Sequence, residues 1–133
     1  MRKDTHSARK PSIIISDSDY ERLTRLATNA LGSMAEVAEE LLAELERAKV
    51  VDDKAVPANV VRMGSTVTYR ADNGQERTVT LVNPGEADIA EGKISIMTPI
   101  GTALIGLAEG KSIGWLGRDG HKHRLTVLSV GQH

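Results

Sequence analysis

The stretch Gly92-Lys93-Ile94-Ser95-Ile96-Met97-Thr98-Pro99-Ile100-Gly101-Thr102-Ala103-Leu104-Ile105-Gly106-Leu107-Ala108-Glu109-Gly110 decides how this chain is read. Residues 93–97 form a short strand that ends near Pro99, and Ala103, Leu104 and Ile105 predict one or two helical turns between Gly101 and Leu107. Gly101, Gly106 and Gly110 lack the spacing, lysine and hydroxyl of a phosphate-binding loop, and they lack a dinucleotide fingerprint. Their role is therefore backbone geometry.

Upstream, the apolar period is two. Val67, Tyr69 and Ala71 share one face of a strand, Asp72-Asn73-Gly74 supplies a hairpin turn, and the return strand Glu76–Val82 sets Val79 and Leu81 against Thr78 and Thr80. Asn83-Pro84-Gly85 turns the chain again. Downstream, strands over residues 112–116 and 122–130 flank Arg118-Asp119-Gly120. The pattern predicts a curved antiparallel sheet with one short helix.

Further upstream the period changes to that of helices. After an extended run at residues 12–15, Ser16-Asp17-Ser18-Asp19-Tyr20-Glu21 places hydroxyls three positions before carboxylates, which is a helix start. Leu23, Leu26, Ala27, Ala30 and Leu31 then form one apolar stripe. Gly32 breaks the run, and Ser33-Met34-Ala35-Glu36 repeats the capping-box pattern before Val37, Ala38, Leu41, Leu42, Leu45 and Ala48. Helices of about fifteen residues or fewer are marginal alone in water, so the two must bury their stripes against each other as an antiparallel hairpin. Leu41 and Leu45 fit its seam, which leaves Leu42 to meet the other half of the chain. Residues 51–59, with Asp52-Asp53-Lys54 and Pro57, break both periods. The expected organisation is a flexible tail at 1–11, a helical hairpin at 12–56 and a sheet domain at 57–133.

Composition narrows the function classes. The 133 residues carry 17 basic and 18 acidic side chains, a net charge of -1, so no global field favours nucleic acid or an anionic membrane. Any nucleic-acid contact, DNA included, is expected to be weak, local or indirect. The absence of cysteine excludes disulfides, thiolate zinc sites and a cysteine nucleophile. The longest apolar runs fall far short of a membrane span, and Ile13-Ile14-Ile15 stops at Ser16 without signal-peptide length. A soluble intracellular protein is expected, with no membrane among its partners. With Trp115, Tyr20 and Tyr69 the only aromatics, the core must be aliphatic.

The quoted stretch, with Gly64-Ser65-Thr66-Val67 before it and the final strand after it, resembles the carboxy-terminal domain shared by the Gre transcript-cleavage factors and the Rnk regulators. Ser12-Ile13-Ile14-Ile15-Ser16-Asp17, Leu81-Val82-Asn83-Pro84 and the short helical arm are more similar to Rnk, the regulator of nucleoside diphosphate kinase. The resemblance implies an α+β protein, a short antiparallel coiled-coil hairpin followed by an FKBP-like sheet domain. It further implies that the sheet domain docks at the rim of the secondary channel of RNA polymerase. One departure is Lys111, where the family pattern has aspartate after the glycine.

Cleavage factors of the family place carboxylates at the hairpin tip to help hold a magnesium ion and orient the attacking water. Here the tip, Ala30-Leu31-Gly32-Ser33-Met34-Ala35, offers none. The nearest acids are Glu36 and Glu39, either weak magnesium helpers or a capping-box acid and a solvated face. A fifteen-residue helix also reaches only about 22 Å. The expectation is occupancy of the channel without catalysis, with Gly32, Ser33, Met34, Glu36 and Glu39 as tip contacts, no catalytic residue, no metal and no cofactor. The alternatives are true stimulation of cleavage through Glu36 and Glu39, or an effect on nucleoside diphosphate kinase that bypasses polymerase. Arg62, Arg70, Arg77 and Lys111 are the candidate docking patch, against the alternative of ordinary surface charge. A prolyl-isomerase reading lacks the several aromatics such a pocket needs, and His121-Lys122-His123 reads as a solvated strand end rather than a metal site.

Overall fold

A computed structural model of the chain describes residues 10–116 and 119–131. The tail expected at 1–11 therefore lies outside the described residues except for Lys10 and Pro11. Both of these are tied down: Lys10 Nζ donates to Glu44 at 2.8 Å, and an Arg47 guanidinium nitrogen donates to the Pro11 carbonyl.

Strand β1 (Ile14–Ser16) leads directly into helix α1 (Asp17–Ala30), whose N-cap Ser16 accepts from Asp19 N. Only half of the expected capping box closes. The Asp19 carboxylate, 8% exposed, turns instead to the second half of the chain and accepts from Met63 N at 3.3 Å. Asp53 also meets this helix start: its carboxylate accepts from Ser18 Oγ at 2.8 and 2.9 Å, which holds it below the ordinary carboxylate range. Neighbouring Asp17 is pushed up, first by desolvation and then by its contact with Asp53.

Helix α2 (Ala35–Arg47) returns antiparallel to α1, and Leu23 and Ala27 bury against Val37, Ala38, Leu41 and Leu45. The stripe is one residue shorter than its sequence suggests, because Leu31 lies past the end of α1 and is 38% exposed. Leu42 does not face the sheet domain. It lines a hollow made of hairpin residues, with Tyr20 and Thr24 opposite. The positions that line the cleft toward the other half are Glu40, Ala43 and Glu44, one stripe at i, i+3 and i+4. Glu44 is buried there with two partners, Lys10 and Arg47, each at 2.8 Å. A buried carboxylate needs such pairing.

After α2 the chain forms β2 (Lys49–Val51), parallel to β1, an element no periodicity announces because only three residues take part. The main sheet holds β3 (Thr66–Ala71), β4 (Glu76–Val82), β5 (Lys93–Ser95), β6 (Ser112–Leu116) and β7 (Lys122–Gly131) in the order β5-β4-β3-β7-β6. Helix α3 (Pro99–Leu104) packs beside it. The sheet is mostly antiparallel, as expected, but β5 runs parallel to β4. The ten residues between them form two 3-10 turns, Pro84–Glu86 and Ile89–Glu91, and carry the chain back instead of reversing it as a hairpin. The strand expected at 93–97 stops at Ser95 because Ile96 and Met97 already curl toward α3. That helix begins two residues earlier than expected, at Pro99, where the missing N–H costs nothing.

The halves share one aliphatic core, from Ile13, Ile15, Leu23 and Leu41 through Leu104, Ile105 and Leu107 to Val67, Leu81 and Leu125. Their joint is Gly106. Its carbonyl accepts from Ile14 N at 3.1 Å and its N–H donates to Val61 O at 2.9 Å. A Cβ there would stand 2.9 Å from Ile13 Cβ, and the residue has a φ of +82°.

Gly106→Ala is expected to lower stability by about 2–3 kcal/mol, from backbone strain and overpacking together; equilibrium urea denaturation measures it. Asp19→Ala, which strands the Met63 N–H, is expected to cost about 1–2 kcal/mol in the same experiment while leaving the helical circular dichroism unchanged.

Candidate functional site

The hairpin tip is closed by backbone alone. Ser33 N and Met34 N both donate to Ala30 O, at 3.1 and 2.7 Å. Met34 is the N-cap of α2, with no side-chain capping bond, so the capping box expected from Ser33 to Glu36 does not form. Ser33 sits one position too early, inside the turn. The tip therefore presents Gly32, Ser33, Met34 (41% exposed), Leu31 and Glu36 to solvent. Glu36 lies in the first turn of α2, where the helix dipole favours a negative charge. Glu39 lines the same hollow as Leu42. Among the described residues no group of three or more His, Cys, Asp or Glu side chains could hold a metal ion. Helices of 14 and 13 residues give an arm of about 20 Å.

A second feature lies at the open end of the core. Ser95, Thr98, Gly101 and Thr102 knit β5 to α3: Thr98 Oγ1 donates to Ser95 O at 2.8 Å and accepts from Gly101 N, and Thr102 Oγ1 donates to Ile96 O at 3.0 Å. At Gly101 a Cβ would come within 2.3 Å of Ser95 O, so the helix can sit this close only with glycine. The construction turns Ile94, Pro99 and Ile100 outward, and with Ile89 and Trp115 they line a groove of about 680 Å³. Ile89 is 88% exposed. Trp115 and His123, directly opposite on β6 and β7, stack with ring centroids 5.5 Å apart, and His123 Nε2 lies 3.2 Å from an Asp119 carboxylate oxygen. The Asp119 carboxyl is held below its ordinary value, first by the His121 N–H and then by His123.

His123 is therefore part of a wall, whereas His121 is exposed at the strand entrance. Sequence reasoning placed both on a solvated end. The only hint of the groove was that the sole tryptophan falls eight residues before His123 across an Asp-Gly turn. The groove's lining includes one large aromatic, Trp115.

The four candidate docking cations do not converge. Arg70 pairs with Glu76 at 3.0 Å on the outer face of the β3–β4 hairpin, whereas Arg77 is opposite Tyr69 on the inner face. Arg62 reaches Asp53 O from the loop before β3. Lys111 is exposed in the turn before β6, where its N–H donates to Ala108 O and its carbonyl accepts from Val127 N.

The family model described as "Transcription elongation factor, GreA/GreB, C-term" matches residues 56–132, and the "Rnk N-terminus" model matches residues 11–51. The regulator of nucleoside diphosphate kinase of Escherichia coli K12 is 37% identical over 122 residues, covering 91% of this chain and 90% of that protein. Transcription elongation factor GreA of Hyphomonas neptunium is 37% identical over 113 residues, 78% of this chain and 72% of that protein. Among solved structures, the prokaryotic transcription elongation factor GreA/GreB from Nitrosomonas europaea superposes with a TM-score of 0.72 at 40% identity, covering 90% of this chain and 99% of that one. The fold and the matches define a Gre-type transcription regulator. The chain belongs to the GreA/GreB elongation factor family, in the branch of the regulators of nucleoside diphosphate kinase. These relatives carry the names of regulators and elongation factors rather than enzymes. No helix among the described residues is long and apolar enough to cross a membrane.

Because the Asp119 carboxyl is lowered from 3.8, its ionisation stabilises the fold above that value, and the contribution is lost as pH falls through the lowered one. Between about pH 5 and about pH 3, the parent protein is expected to lose more stability in urea melts followed by Trp115 fluorescence than Asp119→Asn does.

Proposed function

We propose that this protein binds bacterial RNA polymerase at the secondary channel and regulates transcription there without stimulating transcript cleavage. The sheet domain, residues 57–133, docks at the channel rim, and the hairpin, residues 12–56, enters the channel mouth. The protein thereby competes with cleavage factors for one site, works in the cytoplasm, and needs no metal, cofactor or small-molecule substrate of its own.

The observation that carries this reading is the groove beside α3. The strand, proline and small-residue helix that carry the family resemblance are the same residues that turn Ile94, Pro99 and Ile100 to solvent beside Trp115. An exposed apolar surface of that kind marks an interaction site, and its position on the family's own motif makes polymerase the partner of choice. Arg62, Arg70, Arg77 and Lys111 adjust the encounter as dispersed surface charges. The absence of catalysis is supported by the tip, where Leu31, Gly32, Ser33 and Met34 stand in place of carboxylates, and by the short arm. Glu36 and Glu39 are exposed acids on the side of α2 and not in the turn itself.

A second reading rests on the name of a relative, regulator of nucleoside diphosphate kinase. In that reading the kinase, not polymerase, is the direct partner.

Size-exclusion co-elution with core RNA polymerase, with a cleavage factor as competitor and RNA from stalled complexes followed in the same samples, separates the readings. Competitive binding with RNA of unchanged length is expected. Ile89→Asp and Trp115→Ala are expected to weaken binding about tenfold or more, and the double variant Glu36→Ala/Glu39→Ala is expected to behave as the parent. Shortened RNA would restore the cleavage reading. Failure to bind polymerase together with recovery of the kinase would replace the proposal with the second reading.

A further inference from the structure

The groove beside α3 has three titratable side chains in its lining, Lys93, Asp119 and His123, and of these types imidazole alone changes charge between about pH 5 and about pH 8. His123 is placed between two other parts of the wall. Its Nε2 lies 3.2 and 3.3 Å from the two Asp119 carboxylate oxygens. Its ring stacks on Trp115, with centroids 5.5 Å apart and planes inclined by 25°. Strand pairing fixes the stack, because Trp115 and His123 are direct partners across β6 and β7. A cation within about 6 Å of an indole centroid is attracted by the ring.

Among the described residues, the other charges near this wall are engaged or turned away. Lys122 and Arg124 alternate with His123 and so project from the other face of β7. From the β3–β4 turn, Asp72 accepts from Arg124 N. Across the groove, the segment with Glu86, Asp88 and Glu91 meets Lys93, whose Nζ lies 3.5 Å from Glu91. Next to Asp119, His121 is exposed and donates its backbone N–H to the Asp119 carboxylate. The groove residues from β6 and α3, Trp115, Pro99 and Ile100, are uncharged. Asp119 stays ionised throughout the imidazole range, since its carboxyl is held below the ordinary value, first by the His121 N–H and then by His123.

Neutral His123 can offer Asp119 only a hydrogen bond from Nε2. Protonated, it adds a full charge that faces both the carboxylate and the indole, and the pair with Asp119 then carries no net charge. We propose that His123 is a proton-operated brace for Trp115, which holds the aromatic wall of the groove firmly when the imidazole is charged and releases it when the imidazole is neutral. His123 is thus a positioning residue for the groove. Its use in regulating polymerase binding rests on the function proposed above, but the brace itself is a property of the isolated chain and is tested there.

Trp115 is the only tryptophan, so its emission reports the wall directly. Acrylamide, an uncharged quencher, is titrated into the full-length protein at about pH 6 and about pH 8, either side of the imidazole transition. The quenching constant is expected to be about twofold larger at the higher pH, the population change that a cation–π contact at a part-exposed site supplies. His123→Gln keeps a donor for Asp119 but never the charge, and should give the high-pH value at both. His123→Arg, planar and always charged, should give the low-pH value at both. His121→Gln should follow the parent. The His123 side chain is 35% exposed, so these substitutions leave the core intact. A parent protein indifferent to pH would overturn the proposal. So would a pH dependence that persists in His123→Gln, or an arginine variant that behaves as the glutamine one. Polymerase enters none of these measurements, so failure of the function proposed above would not alter them.

Discussion

Everything in this molecule depends on how closely β1 can lie across Gly106. The glycine carbonyl accepts from Ile14 N, its own N–H donates to Val61 O, and Ile13 Cβ stands where a side chain would otherwise be. With the joint closed, Ile13 and Ile15 enter the core beside Leu104, Ile105 and Leu107, and β2 pairs with β1 from the far end of the hairpin. Helices of 14 and 13 residues gain little by themselves in water. They are stable here because both ends of the hairpin are fastened to a strand that is itself fastened to the sheet domain.

Two buried carboxylates then orient what hydrophobic burial only holds together. Apolar contact is indifferent to direction, whereas a buried charge must find its partners at defined positions. Glu44 gathers Lys10 and Arg47 on the side of α2 that faces the sheet domain, and Asp19 receives the Met63 N–H from the loop that opens it. Asp19 thereby ties the start of the hairpin to the sheet domain, whereas the Glu44 pairs fasten α2 to the chain just ahead of β1.

The two ends of the molecule serve different physical purposes. At the tip, a backbone-closed turn exposes Leu31 and Met34, with Glu36 in the first turn of α2 as the acid beside them. At the opposite end of the core, tight packing of α3 on β5, possible because Gly101 has no side chain, leaves Ile94, Pro99 and Ile100 with no protein layer above them. The packing that makes α3 short and close is thus what creates the groove.

Residue periodicity by itself determined the helical hairpin, the β3–β4 hairpin, β6 and β7, because each is long enough to show a full period of 3.6 or two and is bounded by a turn residue. It also determined, through the residues missing from 30–35, that the tip carries no acid. Tertiary structure alone decided β2, whose three residues carry no period, and the parallel direction of β5, which depends on the path of the 83–92 connection. It likewise decided that Ser33 does not cap α2 and that Leu42 faces away from the sheet domain. The groove belongs to this second group. Ile89, Ile100, Trp115 and His123 come from four separate segments, and only the closing of the sheet around α3 brings them to one surface. A local pattern encodes a face of its own element, whereas a site assembled across elements exists only after they have packed.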